Sequence, residues 1–328
     1  MAYQTGTATD SDDLLQKIVA WLSGIGWTIN KNASGFAHVS KNGVFVNLCI
    51  TSGNVNPWGH TLSSAPSSTM SALHLYVGSG YAGSALWNAQ PGGPQGFNQT
   101  FTVGLSARLT QNAIESYCFY SDAADNICIV FEAFPTIYSH IGWGRLNKAG
   151  EYTGGEYFFA PLASDNFAMV LNAPGNALNA LCPATQNPCD IDRGAIFIRA
   201  DVDTYIDKWL SSCGSNSSYA VRGYTGRNAV SSVIGSTLNN SPAAIATYHG
   251  MQDRTVTQAT MAVTLLPVML WTPRDAGSGY SLLGAIPGVF ATDAASTTKA
   301  GPVAPGTLIK YGADEYVLYP YFAIKREA

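Results

Sequence analysis

The chain has 328 residues and a mass of 34.7 kDa, enough to bury a sizeable core in one large domain or two. Only 12% of its residues are charged, where a soluble globular protein has about 25%, and the mean hydropathy is +0.06. The net charge of −4, with 17 basic residues scattered singly, excludes a basic stripe for a row of phosphates, and no run reaches the roughly 20 apolar residues of a membrane span, so neither nucleic acid nor a bilayer is an expected partner.

The amino terminus, Met1 to Asp13, is polar and acidic, unlike a signal peptide, which predicts a chain kept in the cytoplasm until something releases it. Its first part, AYQTGTAT, reads as an arm with nothing to fold around, either disordered or laid along a neighbouring subunit. A helix follows. Asp10 or Ser11 can cap it, Asp12 and Asp13 suit its positive end, and Leu14, Ile18, Leu22 and Ile25 recur on one face with Leu15 and Val19 beside them. Gly24 and Gly26 end it.

From Trp27 the period changes to two. Phe36 and His38 alternate with Ala37 and Val39, Asn42-Gly43 is the preferred pair for a two-residue hairpin turn, and Val44 to Ile50 is the return strand. Further predicted strands are Ala72 to Val77, Phe101 to Leu105, Tyr117 to Tyr120, Ile127 to Phe134, Tyr157 to Pro161, Phe167 to Leu171 and Ala195 to Arg199. Long Gly-, Pro-, Ser- and Asn-rich loops run from Ser52 to Ser71 and from Gly78 to Asn98, and loops of this length are often contact surfaces. A second helix is expected over 202–210, capped by Asp201, with Trp209 and Leu210 turned inward. Strands then resume at Ala262 to Trp271, Leu282 to Ala285, Leu308 to Tyr311 and Tyr316 to Ile324. The last is apolar on both faces, so it is either sandwiched in the domain or buried against another chain, with Pro320 forcing an edge or bulge. The expected fold is mainly β (α+β), with antiparallel sandwich or barrel domains. The expected division is an arm and helix over 1–30 and β-rich domains over 31–212 and 213–328.

Cys49, Cys118, Cys128, Cys182, Cys189 and Cys213 are irregularly spaced in a large chain with no signal, which favours free, mostly buried thiols. The exception to weigh is Cys182 with Cys189, close enough around the CPATQNPC turn to bridge outside the cell. No short Cys or His spacing suggests zinc, and no cofactor or metal is expected. Gly78 to Gly83 matches GxGxxG after a strand, but Pro91 and Pro94 cut off the helix a dinucleotide needs and no acidic residue follows at the ribose position. Asp190, Asp192, Asp201, Asp203 and Asp207 form the densest carboxylate group; calcium or glycosidase chemistry is open to them, but helix capping by Asp201, the first-turn place of Asp203 and pairing with Arg193 and Arg199 account for them better. The five histidines, His38, His60, His74, His140 and His249, have no nucleophile elbow beside them. His140, between aromatics in YSHIGWG, is open to a shifted pKa or to a structural role at a strand end.

The most distinctive stretch is Gly142 to Gly155, GWGRLNKAGEYTGG. It must turn sharply while carrying Trp143, Arg145, Lys148 and Tyr152, residue types that anchor interfaces, unless its aromatics fold back onto the core. With Tyr3 on the arm and Tyr319 and Tyr321 in the last strand, these are the candidate interface residues. The opening AYQTGTATDSDDLLQKIVAWLSGIGWTI, the middle HIGWGRLNKAGEYTGGEYFFA, and the end from LLGAIPGVFAT to YGADEYVLYPYF together resemble structural proteins of tailed-bacteriophage virions, in the same order along the chain. The resemblance implies a non-enzymatic subunit of the neck or collar, tail or baseplate, with its own copies and neighbouring virion proteins as partners. Shielding by neighbours would also explain so weakly charged a surface. Two other readings remain: a tail-tip protein recognising a host surface through its Gly-rich aromatic loops, and a tail-borne hydrolase using Asp201 and Asp203.

Overall fold

The computed structural model describes residues 2–52, 70–94, 105–110, 112–134, 137–160, 195–200, 209–211, 231–232, 254–258, 261–273, 280–292, 305–319 and 322–326. The chain is mostly β, in antiparallel sheets, with a single helix among the described residues. No described helix is long and apolar enough to cross a membrane.

Helix α1 spans Ser11–Gly24. Asp10 caps it, accepting from the Asp13 amide at 2.8 Å, and Asp13 reaches back to the Thr9 amide at 2.8 Å. Leu14, Leu15, Ile18 and Leu22 are fully buried, each worth about 1.5–3 kcal/mol. The residues ahead of the helix overturn the free-arm reading, because β1 (Ala2–Ala8) pairs antiparallel with β7 (Ile114–Ser121) of the same chain. A polar segment too short to fold alone is stabilised by the hydrogen bonds of a sheet already formed.

Strands β2 (Thr28–Ala33), β3 (Phe36–Lys41), β4 (Val44–Ser52), β5 (Met70–Gly78) and β6 (Leu105–Thr110) make a five-stranded meander. Asn42 and Gly43 have φ of 50° and 80°, the left-handed pair that a two-residue hairpin turn requires. A seven-stranded sheet follows, in the order β1-β7-β8-β9-β11-β12-β13, with β8 at Ile127–Phe134, β9 at Ile137–Arg145, β11 at Gly154–Ala160, β12 at Ala195–Ala200 and β13 at Trp209–Ser211. The carboxy-terminal sheet joins β14 (Ser231–Ser232), β15 (Arg254–Gln258), β16 (Met261–Pro273), β17 (Tyr280–Thr292), β18 (Thr307–Tyr311), β19 (Asp314–Tyr319) and β20 (Phe322–Arg326), and accepts β10 (Asn147–Lys148) from the middle of the chain.

The seven-stranded sheet lies between the other two. Alternate residues Phe119, Ile129, Phe131, Trp143 and Phe158 pack with α1 and with Val46, Leu48 and Leu75 of the five-stranded sheet. Their neighbours Tyr120, Val130, Tyr157, Phe159 and Ile198 pack on Leu270, Leu283, Val289 and Ile324 of the carboxy-terminal sheet. A sheet buried on both faces explains strands such as EYFFA that are apolar without alternation.

The carboxy-terminal segment follows the same rule, but Tyr316 to Ile324 is two strands, not one. β19 and β20 form an antiparallel pair with Pro320 between them, since proline has no N–H for a ladder. Val317, Tyr319 and Ile324 face the seven-stranded sheet, while Tyr316, Leu318 and Ala323 face Leu265 and Ile309 on the opposite side. The apolar double face is therefore satisfied within the chain. Of the second expected helix, 202–208 lies outside the described residues, and Trp209–Ser211 is a strand paired with β12. The expected strand Phe167 to Leu171, residues 101–104 of the expected strand Phe101 to Leu105, and all but the ends of the loop from Ser52 to Ser71 also lie outside the described residues.

Candidate functional site

The Gly142 to Gly155 segment is an intrachain tie between two sheets. After β9 the chain leaves the seven-stranded sheet at Leu146, whose amide donates to the Gly155 carbonyl at 2.9 Å, and β10 sets Asn147 opposite Ala285 and Lys148 opposite Gly284 in β17. The Ala149 amide and the Tyr152 hydroxyl both donate to the Leu283 carbonyl at 3.0 Å. β17 thus pairs with β10 at Gly284 and Ala285 and with β20 over Val289 to Ala291; the Ile286-Pro287-Gly288 bulge, opposite Val268, separates the two partners.

This geometry sorts the candidate interface residues. Trp143 is fully buried, meeting Trp27 edge-on at 6.1 Å, so the reading in which it folds onto the core holds and it is no surface anchor. Tyr319 is buried too, its hydroxyl 2.7 Å from that of Tyr120. Burial raises the pKa of both phenols well above the ordinary range and pushes Tyr152 up to about 12, so all remain hydrogen-bonding phenols. Tyr152 is half-buried, with the Lys148 ammonium 4.7 Å above its ring. Arg145 is exposed and pairs at 3.1 Å with buried Glu156, which Arg199 approaches from a second side at 3.7 Å. Tyr3 is exposed, with the Arg326 guanidinium 4.4 Å over its ring and Tyr120 5.1 Å away. Tyr321 and the Cys182 and Cys189 pair lie outside the described residues, as do the five clustered aspartates, His60 and His249. Cys49, Cys118 and Cys128 are free thiols.

The outer face of the five-stranded sheet holds the polar groups. Strand register places His38, Asn47 and Tyr76 in one row and Cys49 beside His74 in the next. His38 Nδ1 lies 2.5 Å from Asn47 Oδ1, and His74 Nε2 lies 2.6 Å from Thr51 Oγ1. Burial pulls the His74 pKa down to about 3 and pushes the Cys49 thiol up to about 12. A cysteine nucleophile works as thiolate beside an imidazole that takes its proton, and both groups here are held neutral. His140 is likewise buried and pulled down to about 3, beside Phe159.

Residues 79–94 close over this face, and the glycine-rich GSGYAG is the turn that starts the cover. The Ser79 amide donates to the Pro91 carbonyl at 2.9 Å, and no helix begins there. Gln90, which the sequence did not single out, organises the loop: its side-chain NH2 shares two hydrogens among the carbonyls of Ala82, Ala85 and Leu86 at 3.1–3.2 Å, and its Oε1 accepts from the Ala82 backbone amide at 2.7 Å. The Tyr76 hydroxyl accepts from the Gln90 backbone N–H at 2.9 Å and donates to the Trp87 carbonyl at 2.5 Å. Trp87 packs against His74 and Tyr76, and Tyr81 against His38, so both loop aromatics turn inward while Leu86 stands 72% exposed. A lone glutamine in a polar loop carries no periodic signal that would reveal this role.

Asn126 is a second buried organiser. It accepts from the Arg145 amide at 2.7 Å and the Tyr157 hydroxyl at 3.3 Å, and donates to Asp122 at 2.8 Å. Beside it Asp125 takes an ion pair from Lys41 at 2.7 Å and a hydrogen bond from Asn42 at 2.9 Å, which fastens the first hairpin to the β7–β8 turn. Among the described residues no group of three His, Cys, Asp or Glu is placed to hold a metal ion. No protein-family model matches the chain, and no curated protein matches it significantly.

Proposed function

We propose that the chain is a non-enzymatic structural subunit of a tailed-bacteriophage virion, assembling with its own copies and with neighbouring proteins of the neck, tail or baseplate. One observation carries the reading: the three segments that resemble virion proteins are far apart in sequence and pack on one another. Trp27 of the first meets Trp143 of the second at 6.1 Å, and Asn147 and Lys148 of the second pair with Ala285 and Gly284 of the third. Tyr319 of the third bonds Tyr120, against which Tyr3 of the first lies at 5.1 Å. Motifs that make the framework of a fold have this property, whereas a catalytic signature converges on polar groups at a cleft. The charged share of 12% supports the same reading, since surfaces that neighbours cover lose charge first.

The alternative, saccharide recognition at the tail tip, finds less support in the 79–94 loop. Sugar platforms offer open aromatic faces, and Tyr81 and Trp87 spend theirs on His38, His74 and Tyr76. The test is mass spectrometry and cryo-electron microscopy of particles of the phage encoding the chain. The expected result is this fold at fixed copy number in a symmetric ring. Complete particles that lack the chain, purified chain that blocks host adsorption, or purified chain that degrades envelope material would each overturn it.

A further inference from the structure

We infer that β1 is a docking edge for a second copy of this chain, which adds its own β1 antiparallel and continues the seven-stranded sheet into its partner. β1 pairs with β7 alone among the described residues, and within them the other flank of Ala2–Ala8 is a sheet edge. Edge strands are normally guarded by charge, proline or brevity. The other outer strands here are: β2 carries Lys31, β6 Arg108, β15 Arg254 and β18 Lys310, while β13 and β14 are three and two residues long. β1, AYQTGTA, has neither charge nor proline over seven residues. Its bulge falls between Gly6 and Ala8, which leaves Ala2 to Gly6 in unbroken register with β7 and open to another strand.

The occupant is a second copy because the strand complements itself. Antiparallel pairing centred on Thr5 sets Thr5 opposite Thr5 and Tyr3 opposite Thr7; centred on Gln4, it sets Tyr3 opposite Thr5. Both arrangements match aromatic with β-branched side chains, the second adds facing amides and the first facing threonines, and neither opposes like charges. Tyr3, Thr5 and Thr7 are exposed, and Arg326 and Tyr120 already hold the Tyr3 ring, so little ordering is left to be done on contact. The contact is isologous and closes on a two-fold axis. It stands on the edge chemistry alone and does not depend on the virion reading.

Sedimentation equilibrium of the full chain tests it, using wild type, Thr5→Lys, Thr5→Glu and an equimolar mixture of the two variants. In either register the two Thr5 side chains face each other directly or on the diagonal. Each charged variant therefore repels its own copy and self-associates roughly tenfold or more weakly, and mixing restores wild-type association. Hydrogen exchange gives a second reading: β1 amides of wild type gain protection as concentration rises, and those of the single variants do not. A wild type that stays monomeric, a charged variant that associates like wild type, or a mixture no better than its components would overturn the proposal. Circular dichroism confirms that the variants are folded.

Discussion

Replacing Gly284 by alanine tests the tie between the seven-stranded and carboxy-terminal sheets. A Cβ at this position would lie 2.3 Å from the Asn147 carbonyl oxygen and 3.1 Å from the Lys148 Cα, backbone atoms that no rotamer change can move. β10 must lift away from β17, giving up the Asn147–Ala285 and Lys148–Gly284 pairing and straining the bonds from Ala149 and Tyr152 to the Leu283 carbonyl. Overpacking costs about 1–3 kcal/mol and each lost hydrogen bond about 0.5–1.5 kcal/mol, so the variant is less stable by roughly 2–5 kcal/mol. Urea unfolding followed by tryptophan fluorescence reads this as a lower midpoint, and limited proteolysis reads it as new cleavage between Leu146 and Thr153. Tyr152→Phe removes one hydrogen bond to the same carbonyl and costs about 1 kcal/mol alone. Combined with Gly284→Ala it adds little, because β10 has already lifted. A Gly284→Ala protein with the wild-type midpoint and no new cleavage between Leu146 and Thr153, or strict additivity of the two changes, would refute the tie.

Three further outcomes follow from the same geometry. The pKa values of His74 and His140 are lowered by burial from 6.5 to about 3, so between those values the unfolded chain binds more protons than the folded one. The stabilisation is complete above the unfolded value and is lost as pH falls toward the folded one, by up to about 1.4 kcal/mol per pH unit for each histidine; urea midpoints across the acidic range measure it, and a flat profile contradicts it. Asn126→Ala leaves the Arg145 amide without its acceptor and costs about 1–3 kcal/mol in the same unfolding assay. Alkylation mapped by mass spectrometry labels half-buried Cys118 in the native protein, whereas Cys49 and Cys128, whose thiols burial pushes up, label only after denaturation.

The local elements were legible because their causes are local. Asp10 caps α1 through an amide three residues away, Leu14, Ile18 and Leu22 share a face by helical spacing, and Asn42-Gly43 sets its turn from two dihedral angles. The period-two runs from Val44 and Ile127 became strands for the same reason. Where the sequence misled, the missing term was a partner distant along the chain. The arm became β1 because β7 offered it a ladder far along the chain, with Thr5 opposite Cys118 and Ala2 opposite Ser121. Trp143 and Tyr319, the residue types of an interface, were drawn inside because a third sheet gives the seven-stranded sheet two buried faces. Gln90 gained its role only when residues 79–94 closed over the five-stranded sheet, and Asn126 only when β9 and β11 came beside its turn.

By itself, then, the order of residues determined the helix, its cap, the first hairpin and the predominance of strands, since each depends on dihedral preference and on neighbours within a few positions. The tertiary structure alone decided which flank of each strand is paired and which face is covered. Hydrogen bonding across a sheet and burial between sheets depend on where remote segments lie, and side-chain periodicity is the same whether the covering surface belongs to this chain or to another.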